Sequence, residues 1–279
     1  MKELERLQQD WNALAEIDPM WAICSDPNKS HGGWSIDEFF RTGKDGIGHV
    51  LEMANSLGIP LKKGIVLDFG CGMGRLTQAL AEEFETCYGV DISPKMIDLA
   101  NRFNRFGDKC RYVVNPRNDL MLFADCFFDL IYTENVLQHM PPDLMKEYLK
   151  EFVRTLRPSG VLVFQVPIQR LVEDNRTQYL KSLPRYHPQR ILNKLRGILI
   201  GHNITERYYR LRKLGFLRRL GFSKKWLYEK LGFRPNIPMY CLEESEINEL
   251  IASTGAMTAH IAKFIDGDNL NAMFVVVKP

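Results

Sequence analysis

The sequence predicts an α/β fold: a doubly wound, mostly parallel sheet with an antiparallel last strand, an N-terminal helical cap and a helical insertion after the fifth strand. Three observations carry that prediction. Short apolar runs alternate with helical patterns through residues 61–167. The run 161–166 is apolar but for Gln165, as suits the interior of a parallel sheet. The chain then closes with one helical pattern and two strand-like runs.

Each element has a local cause. Val66-Leu67-Asp68-Phe69 is a strand that meets the alternate glycines Gly70, Gly72 and Gly74, and a helix starts at Arg75-Leu76-Thr77. Cys87-Tyr88-Gly89-Val90 is a second strand, ending in Asp91. Ser93-Pro94 reads as an N-cap and first helical residue, and Met96, Ile97, Leu99, Ala100 and Phe103 give the helix an apolar face. Residues 111–114 and 128–132 are the third and fourth strands. A helix over about 142–157 stops at Pro158-Ser159-Gly160 before the fifth strand, 161–166. Residues 242–251 form an acidic-fronted helix ending near Gly255, and 257–264 and 272–277 are the closing strands. In this topology a ligand belongs at the carboxyl ends of the strands.

Composition divides the chain into a cap, residues 1–60, a core, residues 61–167 with 239–279, and a basic insertion, residues 168–238. The net charge is only +3, yet the insertion holds seventeen Lys and Arg against four Asp and Glu, leaving the rest of the chain acidic. Leu-Gly-Phe recurs there at 214–216, 220–222 and 231–233, each preceded by cations, which is the pattern of short capped helices. The insertion reads as a packing lobe, a lid over an acceptor or a peripheral membrane contact. In the cap, Trp11, Trp21, Trp34, Phe39 and Phe40 are dense for a loop-rich region, and His31-Gly32-Gly33-Trp34 reads as a flexible turn.

Length and composition agree with a soluble enzyme: 279 residues, 45% hydrophobic and 25% charged. No apolar run approaches the roughly 18 residues of a membrane span, and the charged start Met1-Lys2-Glu3 is unlike a signal peptide, so the cytoplasm is the expected location. The six cysteines are scattered with no C-x-x-C pair, and no cluster of oxygen ligands is legible, so neither a metal nor a disulfide framework is expected.

The glycine turn and Asp91, twenty-one positions after Gly70, carry the functional signal. A carboxylate at the tip of the neighbouring strand accepts the hydroxyls of a ribose, which points to a nucleoside-containing cofactor. The dinucleotide pattern G-x-G-x-x-G fails at its third glycine, where Arg75 stands, and Asp68 beside the turn suits a cationic amino group better than a phosphate. Asp68-Phe69-Gly70-Cys71-Gly72-Met73-Gly74, followed by Gly89-Val90-Asp91-Ile92-Ser93, resembles motif I and the acidic strand end of class I S-adenosylmethionine-dependent methyltransferases, which have a Rossmann-like fold. Residues 18–43 and 136–142 resemble segments of a group of bacterial small-molecule methyltransferases. The resemblance covers 18–167 and 240–279.

The resemblance implies S-adenosylmethionine as cofactor. Asp68 would bind the methionine amino group, Gly70, Cys71 and Gly72 would offer backbone contacts, Asp91 would hold the ribose and Ile92 would cover one adenine face. The loop Asn118-Asp119-Leu120 would meet the adenine amino group, and the cap would close over the methionine end. Methyl transfer is an in-line displacement that needs mainly alignment. A hydroxyl acceptor gains from a general base, for which His139, just beyond the fourth strand, is the leading candidate, against a structural role beside Pro141-Pro142. Glu134 and Asn135 would orient cofactor or acceptor.

Thr133-Glu134-Asn135-Val136 lacks the Asp/Asn-Pro-Pro-aromatic turn of adenine methyltransferases, and no Pro-Cys pair for cytosine appears, so nucleic acid is disfavoured. The expected acceptor is a small molecule, with a carboxylate, phosphate or lipid-linked compound suiting the basic insertion, and O-methylation is favoured. N- or C-methylation and a non-catalytic cofactor-binding scaffold remain as alternatives, and the sequence sets no oligomeric state.

Overall fold

The computed structural model describes residues 2–171, 237–266 and 268–279. The chain divides into one unit of Met1–Gln169 with Ile237–Pro279 and a second of Arg170–Asn236. The Leu-Gly-Phe repeats, and with them the expected lid or membrane-surface role of the basic insertion, lie outside the described residues.

The cap is helical, as the sequence predicts. It consists of α1 (Lys2–Ile17), α2 (Pro19–Ile23) and the long α3 (Ile36–Ser56). Three glycines in α3 weaken its helical pattern, each costing about 1 kcal/mol relative to alanine. Two things offset them. Ser35 and Glu38 form a reciprocal capping box at its start, and the helix packs Ile47 and Val50 into the core. Gly43 has a positive reason to be glycine, since a Cβ there would strike the Arg75 backbone carbonyl. The His31-Gly32-Gly33-Trp34 turn is pinned as well: Gly32 N–H donates to Asp18 Oδ2 at 3.0 Å, and Trp34 Nε1 donates to the Cys24 carbonyl at 3.0 Å.

The core follows in alternation: β1 (Ile65–Phe69), α4 (Arg75–Glu83), β2 (Thr86–Asp91), α5 (Pro94–Arg102), β3 (Cys110–Val114), β4 (Phe128–Thr133), α6 (Pro142–Thr155), β5 (Leu156–Arg170), then α7 (Glu244–Ser253), β6 (Met257–Asp266) and β7 (Asn269–Val277). The sheet order is β3-β2-β1-β4-β5-β7-β6. The first five strands pair in parallel, and β6 and β7 pair antiparallel. Ser159 N–H donates to the Lys278 carbonyl while Gln165 meets Asn271, so β7 runs against β5. This is the doubly wound sheet with a reversed strand that the sequence predicts.

Strand β5 is longer than its apolar run. It begins at Leu156, paired with Phe128, and carries Pro158-Ser159-Gly160 within an irregular start where Ser159 is left-handed (φ 62°). Helix α6 therefore ends at Thr155.

Both faces of the sheet are covered. On one, Leu67, Phe69 and Ile131 pack against Tyr148 and Phe152 of α6 and Ile247 and Ile251 of α7. On the other, Val66, Leu130, Tyr132 and Val163 pack against α3 and α4. Strand order reverses between β1 and β4, and that switch point opens the crevice where a doubly wound sheet takes its ligand. Among the described residues no helix is long and apolar enough to cross a membrane.

Candidate functional site

The glycine turn is held by its own neighbours. The N–H groups of Gly70 and Cys71 both donate to the Val90 carbonyl, at 2.7 and 3.0 Å, and Gly72 N–H donates to Asp91 Oδ2 at 2.9 Å. These three amides are therefore engaged inside the protein, which leaves no open cradle of N–H donors such as a pyrophosphate needs. Gly70, Gly72 and Gly74 all have positive φ. A Cβ on Gly70 would strike Val136, one on Gly72 would come within 2.6 Å of Ile23 Cδ1, and one on Gly74 would strike the Tyr112 hydroxyl. The turn is thus packed between the end of β4, the short helix α2 and strand β3. Met73 is buried with Phe39, Phe40 and Met96, so the cap sits directly on the turn.

Acidic groups gather around it. Half-buried Asp91 also accepts from Ser93 N–H at 2.8 Å, and loss of surrounding water pushes its carboxyl up to about 6. Asp68 is fully buried and accepts from Thr77 Oγ1 at 2.5 Å. Burial pushes its carboxyl up to about 7, against the opposing pull of the Thr77 hydrogen bond and the Arg75 charge. Glu134, past the end of β4, accepts from the Tyr132 hydroxyl at 3.1 Å and lies 3.9 Å from Arg75 Nη2. Three carboxylates beside one guanidinium favour a cationic ligand over an anionic one.

Asn135 is exposed and left-handed (φ 59°), and its N–H donates to Gln165 Oε1 at 2.8 Å. Gln165 Nε2 in turn donates to Asn271 Oδ1 at 2.6 Å. Two amide side chains, each 2% exposed, thereby fix the loop after β4 to β5 and β7. Neither residue stands out in the sequence beyond being a polar interruption of an apolar strand.

His139 sits in a single turn of 3₁₀ helix, Leu137–His139. Its Nδ1 lies 3.3 Å from the Pro238 carbonyl, which can only accept, so Nδ1 carries the proton and Nε2 is the basic nitrogen. Nε2 is 3.3 Å from the Gln138 side-chain amide, and the Trp11 ring stands edge-on at 5.6 Å. Burial lowers the imidazole pKa, opposed by the Pro238 contact, so the ring is neutral at physiological pH. The residues that return from the insertion are stitched to the same place, with Tyr240 N–H donating to the Gln138 carbonyl at 2.7 Å.

The structure brings Asp68, Gly70, Cys71, Gly72, Asp91, Ile92, Glu134, Asn135 and His139 to one edge of the sheet. Ile92 is tied to the cap, its carbonyl accepting from Gln8 Nε2 at 2.9 Å. The loop Asn118-Asp119-Leu120 is engaged differently from its expected adenine contact. Asn118 Nδ2 donates to Glu147 at 2.8 Å, Asp119 holds the Arg117 guanidinium through two contacts of 2.9 Å, and Leu120 is buried with its N–H on Glu151. The residue at the tip of β3 is Asn115, whose N–H donates to the Asp91 carbonyl at 2.9 Å. Its position directly after Val113-Val114 was the available signal.

Residues 67–164 match the family of methyltransferase domains. The chain is 26% identical over 243 residues to carboxy-S-adenosyl-L-methionine synthase of Chromohalobacter salexigens, covering 75% of this chain and 86% of that one. It is 30% identical over 99 residues to 2-methyl-6-phytyl-1,4-hydroquinone methyltransferase of Synechocystis, covering 35% of this chain and spanning only 30% of that relative's length. Among solved structures, magnesium protoporphyrin IX methyltransferase of Synechocystis superposes with a TM-score of 0.58 at 15% identity, over 100% of this chain and 98% of that one, a likeness of fold.

Proposed function

We infer that this chain, which belongs to the class I S-adenosylmethionine-dependent methyltransferases through residues 67–164, is an enzyme that moves the methyl group of S-adenosylmethionine to a small-molecule acceptor, with oxygen the favoured acceptor atom. The observation that carries this reading is the Asp91 carboxylate, fixed by Gly72 and Ser93 amides at the tip of β2 beside a turn whose amides are already engaged. Such a site receives a ribose and a positive charge, and it does not receive a pyrophosphate.

S-adenosylmethionine supplies a methyl carbon already activated by the sulfonium. The chain has to align and enclose. Asp91 holds the ribose hydroxyls, Ile92 covers the adenine, and Asp68 and Glu134 give the crevice its negative field. The cap, resting on Gly72 through Ile23, excludes water from the turn. For a hydroxyl acceptor, neutral His139 takes the proton at Nε2 once the acceptor replaces the Gln138 amide there. Positioning of this kind supplies roughly 7–11 kcal/mol of the barrier, and a base adds about 10²–10⁴-fold.

A second reading, synthesis of a carboxylated S-adenosylmethionine without methyl transfer, is favoured by the breadth of the match to carboxy-S-adenosyl-L-methionine synthase. Incubation with S-adenosylmethionine labelled in the methyl group, followed by mass spectrometry, separates the two. Label in an acceptor with release of S-adenosylhomocysteine supports transfer. With a carboxyl donor also supplied, label retained on a heavier nucleoside supports the second reading, and no turnover across methyl acceptors and carboxyl donors sinks both.

A further inference from the structure

We propose that Arg75 is the receptor for a carboxylate, the one carried by the amino-acid end of S-adenosylmethionine; this rests on the cofactor reading above. Arg75 occupies the position where a dinucleotide turn would have its third glycine, and it is the first residue of α4. It is only 9% exposed, and its guanidinium is poorly satisfied. Nη1 is 3.4 Å from Thr42 Oγ1, Nη2 is 3.9 Å from Glu134 Oε2, and Nε has no hydrogen-bond partner among the described residues. A guanidinium carries five N–H donors in a rigid fork and is costly to bury without partners.

Two further features suit an anion of one particular kind. The start of α4 contributes the partial positive charge of a helix N-terminus, which adds to that of Arg75. Yet Asp68, Asp91 and Glu134 surround the same crevice, so a dianionic phosphate would be repelled. A carboxylate that arrives attached to its own ammonium and sulfonium meets both demands. Its planar, two-oxygen shape also matches the guanidinium fork. Glu134, at 3.9 Å, is then a placeholder that balances the guanidinium without forming the close paired contact a ligand would make.

The test compares S-adenosylmethionine with its decarboxylated analogue by calorimetry. Three acids acting alone would prefer the analogue, which carries one more net positive charge, so a preference for the carboxylate requires a cation. Wild type is expected to bind the analogue about 10- to 100-fold more weakly. Arg75→Gln should remove or reverse that preference by weakening S-adenosylmethionine alone, whereas Glu134→Gln should keep it. Arg75→Lys, which retains charge but loses the fork, should show an intermediate preference.

Equal affinity of wild type for the two compounds overturns the proposal while leaving the cofactor reading intact, and this arm needs no variant to fold. Retention of the full preference by Arg75→Gln also overturns it. Failure of wild type to bind either compound removes the cofactor reading and the proposal together.

Discussion

Gly72 and Asp91 are bonded directly, the N–H of the turn donating to the carboxylate of the neighbouring strand at 2.9 Å, so the end of β1 and the tip of β2 behave as one unit. A ligand hydroxyl on Asp91 therefore also tightens the turn. Asp91→Ala removes the ligand's acceptor and strands the Gly72 and Ser93 amides. Affinity for S-adenosylmethionine is expected to fall by about 1.5–3 kcal/mol, with a drop in melting temperature from about 1–3 kcal/mol of lost stability. Asp91→Asn keeps an acceptor oxygen and should recover part of the stability. Unchanged affinity in Asp91→Ala, measured by calorimetry, would remove Asp91 from the site.

Cofactor binding should release protons near neutral pH. Asp68 has its carboxyl pushed up to about 7 by burial, whereas an unfolded aspartate titrates near 3.8. Between those values the folded chain holds a proton that the unfolded chain has lost, so this group's contribution to stability falls as pH rises through about 7. A cationic ligand favours the ionised carboxylate. Affinity for S-adenosylmethionine should therefore rise from pH 5.5 to 8, and calorimetry in buffers of different ionisation enthalpy should show proton release at pH 6.5. Asp68→Asn should weaken both effects and leave the part at lower pH that Asp91, with its carboxyl near 6, contributes. A pH-independent affinity with no proton release would show that Asp68 stays uncharged or out of reach of the ligand.

The readable parts of this molecule were those whose signal is local. The Val66–Asp68 run meeting three glycines, and the apolar run ending in Asp91, each follow from backbone requirements that a few neighbouring residues must meet. The cap was harder to read, since α3 contains Gly43, Gly46 and Gly48 and owes its helix to a capping box and to packing on α4 rather than to propensity. Arg75, Gln165 and Asn271 were invisible as site residues because their contacts come from partners far along the chain. Gln165 and Asn271, 106 positions apart, meet only once β7 has inserted beside β5. The Asn118–Leu120 loop is likewise held by distant residues, since α6 supplies Glu147 and Glu151 to it.

His139→Ala should separate a base from a tether. As the base for a hydroxyl acceptor, His139 contributes about 10²-fold or more to the single-turnover rate, and its loss should leave cofactor affinity nearly unchanged. Because burial lowers the imidazole pKa, the rate should stay flat from pH 8 to below 6.5 before falling as the ring gains its proton. The same shift makes stability decline as pH falls below 6.5, where the unfolded histidine protonates first. A variant that loses melting temperature and activity together, with the pH profile unmoved, would assign His139 to holding the Pro238 carbonyl.

Ile23 and Gly72 give the sharpest test of the cap's position. Gly72 is left-handed (φ 52°), and a Cβ built there lies 2.6 Å from Ile23 Cδ1. Gly72→Ala thus has two separable costs, about 1–2 kcal/mol of backbone strain and a further steric cost from the clash with Ile23. Ile23→Ala removes the second cost and leaves the first. The double variant should accordingly be more stable than the sum of the single variants predicts, by about 0.5–3 kcal/mol, the range seen for residues in contact. Chemical denaturation of the four proteins supplies the cycle. Strict additivity would mean that α2 does not rest on the turn, and the enclosure of the cofactor's methionine end by the cap would have to be abandoned.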